Sequence, residues 1–167
     1  MSGAWLTQSV NNPRNFKKAI ELRLKDQWIT TWNTNLVMKN ICSSYRMYKT
    51  VYGMEEYLVK LSKKCRIMIS KLRACNNKLP IIEGRFRGIS REERVCNMCD
   101  DHLVGDEFHI LFVCQNENIV MLRNMYISHY YTNRPSLYKY ALLMQTTRTK
   151  TLNNLALFLQ AVFRLLR

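Results

Sequence analysis

Four residues constrain this chain more than anything else in it: Cys96, Cys99, His109 and Cys114, spaced C-x2-C-x9-H-x4-C. Two cysteines separated by two residues fit a tight turn in which both thiolates reach one ion. A histidine and a cysteine five positions apart can stand about one helical turn apart and close a tetrahedron. Three sulfurs and one imidazole nitrogen make a closed shell with no position left for water, so the spacing predicts Zn2+ in a structural role. Gly105 offers a bend, and Asp106 and Glu107 make an acidic start for a helix carrying the last two ligands. His102 and His129, off the pattern, read as surface or solvated residues, with His102 a minor alternative to His109 as nitrogen ligand.

The same stretch carries a resemblance. The run LPIIEGRFRGISREERVCNMCDDHLVGDEFHILFVC resembles the extreme C-terminal segment of LINE-type (non-LTR) retrotransposon reverse transcriptases and proteins derived from them. The likeness rests on a Gly-Arg-aromatic element (Gly84, Arg85, Phe86), on Arg94 before the Cys96 and Cys99 pair, and on Asp106, Glu107, His109, Leu111 and Cys114. Gln27, Trp28, Ile29 and Trp32, then Tyr57, Leu58, Lys71, Leu72 and Arg73, fit the region that precedes such a motif, so the likeness covers roughly residues 15 to 130. Gln115 departs from the family, which commonly has Pro after the last Cys, and that difference touches helix termination more than metal binding. Nothing in the chain resembles the polymerase core or the endonuclease. The resemblance therefore implies a zinc-containing nucleic-acid-binding tail, not an enzyme.

Charge placement points the same way independently. The formal net charge is +14 over 167 residues. Residues 1–95 hold 19 Lys and Arg against 7 Asp and Glu, and residues 96–167 hold 7 against 5, so the excess of +12 lies before the cysteine motif and +2 after it. A polyanion is the natural partner for such a surface, because each neutralised phosphate releases condensed counterions. The competing account is a merely soluble basic surface. With 47% apolar residues the chain can bury a core. No run reaches the ~18 apolar residues of a membrane span, so no membrane partner is expected. Residues 1–18 lack the apolar core of a secretory signal. Cysteines in a Cys-His cluster, with Cys42, Cys65 and Cys75 scattered, suit a reducing compartment, which predicts an intracellular, nuclear or cytoplasmic location.

The periodicity predicts an all-α fold with an embedded CCHC zinc knuckle and little or no sheet. Asn12 and Pro13 read as a cap and first helical residue, followed by Phe16, Ile20, Leu24, Trp28 and Trp32 at intervals of four along one long helix to about residue 36. That stripe reads as core ahead of a base-stacking surface. Residues 39–52 are Tyr-rich and ambiguous. From Glu55 to Cys75 the residues Leu58, Leu61, Cys65, Met68, Ile69 and Leu72 define a helical face, interrupted near Ser62. Leu79 to Ile82 reads as extended, because Pro80 disfavours helix before it. Ser90 to Glu93 resembles a short capped turn. A helix is expected from Ile119 to about Tyr131, a short one from Tyr138 to Met144, and a final amphipathic one from Leu152 to Leu166, whose apolar side either packs on the first helices or docks a partner. The expected organisation is one compact unit: a basic helical region 1–95, the knuckle 96–115, and C-terminal helices 116–167 packed on the first region.

Two segments are the expected nucleic-acid surface. Lys60, Lys63, Lys64, Arg66, Lys71 and Arg73 form a run of cations without an acid among them, whereas a solvated helix normally mixes signs. Arg85, Phe86 and Arg87, between Gly84 and Gly88, form a loop in which Phe86 either stacks on a base or plugs the core. Catalysis by the chain alone is not expected. Four strong ligands leave a zinc ion no open position, and no nucleophile elbow, Walker loop or carboxylate cluster is present. Two functions follow: a non-catalytic module that positions RNA or DNA for a reverse transcriptase, or a zinc-stabilised helical interaction module with incidental charge, docking a reverse transcriptase or another protein through its C-terminal helix.

Overall fold

The computed structural model describes residues 13–38 and 44–166, and the chain divides into two units, Met1–Asn40 and Ile41–Arg167. The first unit contains helix α1, Pro13–Met38. Its proline occupies the first helical position, where a missing N–H costs nothing; Asn12, expected as the cap, lies outside the described residues, as does Cys42. The four-residue stripe expected as core is not buried: Phe16, Ile20, Leu24 and Trp28 are between 39% and 60% exposed.

The described part of the second unit is built of helices joined by loops. It runs through α2 (Tyr45–Tyr48), α3 (Tyr57–Lys60), α4 (Lys63–Arg73), α5 (Pro80–Phe86), a π-helical turn (His109–Val113), α6 (Glu117–Tyr126), α7 (His129–Thr132), α8 (Leu137–Gln145) and α9 (Thr149–Leu165). The fold is all-α. Among the described residues the sole β pairing is an isolated antiparallel bridge between Val95 and Val104. No described helix is long and apolar enough to cross a membrane.

The C-terminal helix α9 is the spine. Leu152, Leu155, Ala156, Phe158, Leu159 and Val162 are buried, at the 3- and 4-residue spacing of one helix face, and the helix packs on α4 and α6. Its apolar side is consumed inside the fold. From α4 come Ile69 and Leu72, and from α6 comes Ile119, all nearly inaccessible. The interruption expected near Ser62 is present. Leu61 turns extended and buries its side chain, and Ser62 restarts the chain as the N-cap of α4, accepting from Cys65 N at 3.4 Å.

Residues 79–87 differ from the sequence expectation. Leu79 is extended, but Pro80 opens helix α5 instead of prolonging an extended segment. The restriction that proline places on its predecessor holds for Leu79 alone, while its own fixed φ suits a first helical turn. Arg85 and Phe86 are therefore helical, with Arg87 at the C-cap. Gly88, at φ 71°, closes the helix as a Schellman motif: Ile89 N donates to Gly84 O at 2.9 Å and Gly88 N to Arg85 O at 3.2 Å.

Candidate metal centre

The four candidate ligand residues arrive from two pieces of backbone. Cys96 and Cys99 lie on a loop pinched at its neck, where Cys96 N donates to Leu103 O at 2.8 Å and Gly105 N to Arg94 O at 2.9 Å. His109 and Cys114 lie on the next helical segment. Asp106 starts it, its Oδ1 accepting from His109 N at 3.0 Å, as the acidic pair in the sequence implied. Residues five apart on a regular α-helix stand about 140° apart around the axis. Here Cys114 N donates to His109 O at 2.8 Å, and the wider i to i+5 turn brings both residues to one side.

The ligand atoms of Cys96, Cys99, His109 and Cys114 all lie within 4.8 Å of one another. Cys96 Sγ is 4.0 Å from Cys114 Sγ, and Cys99 Sγ is 3.3 Å from His109 Nε2. A tetrahedron with metal–sulfur bonds of about 2.3 Å has edges near 3.8 Å, so the group can hold a metal ion. His102 is exposed at a corner of the loop, in the left-handed region at φ 52°, and takes no part in the cluster; His109 is the histidine that does.

The surroundings suit ligation. Cys96 and Cys114 are buried, and burial pushes both thiols up, Cys114 to about 12. Bringing the group together as thiolates therefore requires compensation. Part of it is local: Met98 N donates to Cys96 Sγ at 3.4 Å, and the backbone at Asn116 favours ionised Cys114. Burial lowers the His109 imidazole and favours its neutral, ligating form. Glu107 is buried, which pushes its carboxyl up to about 7, and its Oε1 meets Cys75 Sγ at 3.9 Å. Gln115, standing where the resemblance calls for Pro, closes the helix end by donating to Val113 O at 2.8 Å.

Three side chains support this centre; Arg123 and Asn116 were not singled out from sequence, and Arg94 was, but without its packing role. Arg123 is 6% exposed and donates to Ile110 O and Cys114 O; its one signal is its place four residues after buried Ile119. Asn116 caps α6 through Asn118 N and Ile119 N while its amide donates to Met98 O at 2.9 Å, tying the cysteine loop to that helix. Arg94 donates to Ile89 O from two nitrogens and to Ile81 O from a third. Its stem crosses Gly84 so closely that a Cβ there would sit 2.5 Å from Arg94 Cγ. The Gly-Arg-aromatic element and the arginine before the cysteines are thus one packed unit.

The expected nucleic-acid residues separate into groups. Lys63, Lys64 and Lys71 are exposed on α4. Lys60 pairs with Glu56, and half-buried Arg66 donates to Leu58 O at 2.8 Å. Arg73 leaves the surface set. It is 6% exposed, lies between the rings of Tyr48 and Tyr57 at 5.0 Å from each, pairs with Glu55 Oε2 at 2.7 Å and donates to Met144 O. As the last residue of α4, on the side that holds Ile69 and Leu72, it is carried into the core. Phe86 is 78% exposed beneath the Arg85 guanidinium, 4.9 Å from its ring, so it does not plug the core. Arg87 is exposed beside Glu83 at 3.9 Å.

No known protein family, no curated protein and no solved structure matches this chain.

Proposed function

We propose that the chain is a zinc-stabilised nucleic-acid-binding module, not catalytic by itself, related to the tail of a retrotransposon reverse transcriptase and acting inside the cell on template RNA or target DNA. Its donor set of three sulfurs and one nitrogen suits Zn2+, and when bound that ion supplies a closed, structural cross-link with no position for water. What the chain's own residues do is hold a binding surface. Lys63, Lys64 and Lys71 offer charge on α4, with Lys60 beside them, and Arg85, Phe86 and Arg87 offer charge and a stacking face on α5.

One observation carries this reading. Phe86 stands 78% exposed with a guanidinium on its face, and its helix is bolted to the metal loop. Ile81 N donates to Gly105 O at 3.2 Å, and Arg94, two residues before Cys96, donates to Ile81 O at 3.2 Å. A large aromatic costs free energy when left in water, and an aromatic next to arginine is what a base stacks on.

The test is binding of the full, zinc-loaded chain to duplex DNA, single-stranded DNA and structured RNA across a salt series. Log affinity falls steeply and linearly with log salt if phosphates supply the attraction. Replacing Lys63, Lys64 and Lys71 by Gln weakens all three ligands and flattens the slope. Arg66 is left in place because its guanidinium holds the Leu58 carbonyl. Metal analysis should give one zinc per chain, reduced in Cys99→Ser, and chelation should unfold residues 94–114. A folded, metal-free protein would remove the zinc part of the reading.

A second reading, a protein-interaction module, is favoured by the exposed stripe Phe16, Ile20, Leu24 and Trp28 on α1. Association through that stripe would be insensitive to salt, and α1 would carry it in place of the C-terminal helix.

A further inference from the structure

The fold brings a cation from the weakly charged C-terminal half onto the basic helix. α4 and α9 pack along each other, and Arg164 in the last turn of α9 shares an acceptor with Lys64 in the first turn of α4. That acceptor is Gln160. Two donors face one side of its carboxamide, which assigns the oxygen to that side; so oriented, it accepts from Arg164 Nη2 at 2.8 Å and from Lys64 Nζ at 3.1 Å. Lys63, Lys64 and Arg164 are all exposed.

Two cations held on one neutral amide repel each other, and a carboxylate in the glutamine's place would have relieved them. Neither helix has one to offer. The sequence contains no Asp or Glu between Glu56 and Glu83, and none after Glu117. The first turn of α4 is also the positive end of its helix dipole, where an anion is favoured, yet it holds Lys63, Lys64 and Arg66 and no acid. The result is a pair of donors, pre-oriented by one side chain, with no carboxylate on either helix to neutralise them; the negative end of the α9 dipole offsets part of the charge of Arg164 alone.

We infer that Lys64, Arg164 and Gln160 form a two-helix clamp for a nucleic-acid phosphate, with Lys63 at its rim. The inference rests on the nucleic-acid reading above and extends it to the C-terminal helix. The division of labour follows from the side chains: the guanidinium presents a planar fork to two phosphate oxygens, the ammonium adds a point charge, and the amide fixes their spacing.

The experiment measures binding of a short mixed-sequence DNA duplex to the full, zinc-loaded chain over a salt series. It compares the parent with Arg164→Gln, Arg164→Lys, Lys64→Gln, the double Lys64→Gln/Arg164→Gln, and Arg148→Gln at the other end of α9. Each phosphate contact on duplex DNA contributes about 0.9 to the slope of log affinity against log salt. Arg164→Gln and Lys64→Gln should each flatten the slope by up to that amount. The double variant should flatten it by about 0.9 in all, because both side chains hold the same phosphate. Arg164→Lys should recover most of the slope, and Arg148→Gln should leave it alone. An Arg164→Gln slope equal to the parent's, or an equal effect from Arg148→Gln, overturns the clamp while leaving the nucleic-acid reading in place. A parent chain that shows no salt-dependent binding overturns both.

Discussion

Arg123 donates from Nη2 to the carbonyl of Cys114 at 2.8 Å and to that of Ile110 at 3.3 Å. A buried guanidinium thus closes the end of the helical turn that presents two of the four ligands. Three thiolates and a neutral imidazole would leave one net negative charge around a divalent ion, and the arginine stands where it would balance that charge in the zinc-loaded form. Replacement by Met removes the counter-charge and strands two buried carbonyls, at about 1–3 kcal/mol each. Arg123→Met should therefore lose metal to a competing chelator about 10–100-fold more readily. Undiminished retention would show that Arg123 only packs.

Gly84 tests whether the glycine-arginine-aromatic element serves the fold or the ligand. In a helix, Ala is favoured over Gly by about 1 kcal/mol. Against that gain, the new Cβ would lie 2.5 Å from Arg94 Cγ, displacing a side chain whose hydrogen bonds contribute about 0.5–1.5 kcal/mol each. The steric term wins. Gly84→Ala should destabilise the protein by about 1–3 kcal/mol in denaturant unfolding, and the same change on an Arg94→Ala background should be nearly free.

These two cases mark how far the sequence could be read. The Cys/His cluster was legible because ligand spacing is a local property, and the helices because periodicity is too. Gly84 and Arg94 were recognisable as pieces but not as a pair, since their contact depends on how α5 folds back over the metal loop. Arg73 looked like its neighbours in a run of cations, because its burial is decided by Glu55, Tyr48 and Tyr57 from other elements. The stripe on α1 has the periodicity of a core face and is exposed; periodicity reports that a face exists, not what covers it. Pro80 constrains its predecessor Leu79 to extended backbone and at the same time suits the first turn of a helix, and the second effect sets residues 80–86.

Glu55 gives the fold a specific acid sensitivity. Burial by itself would raise its carboxyl, but Lys49 at 3.0 Å and Arg73 at 2.7 Å outweigh that and hold it below the ordinary 4.5. The folded state therefore keeps the proton off more strongly than the unfolded chain does. Its stabilisation is present above pH 4.5 and is lost as pH falls through the folded value. Glu55→Gln leaves buried Arg73 without its carboxylate, keeping only the Met144 carbonyl and the two tyrosine rings, a loss of up to about 3 kcal/mol at neutral pH. The stability gap between parent and variant should narrow as pH falls below 4.5 and through the folded value, which lies lower still. A gap that stays constant across that range would mean the pair contributes no pH dependence.

Phe86 separates stacking from charge. Its side chain is 78% exposed and touches the Arg85 guanidinium, so Phe86→Ala should change folding stability by no more than about 0.5 kcal/mol. Base stacking on an aromatic contributes about 1–3 kcal/mol, and it requires a base free of its own helix stack. The variant should accordingly lose about 10- to 100-fold in affinity for single strands while binding duplex DNA as the parent does. The salt slope should be unchanged, because no phosphate contact is removed. Phe86→Trp should retain or improve single-strand binding through its larger face. An equal loss on duplex and single strand, or a flattened slope, would assign Phe86 to orienting Arg85 instead of holding a base.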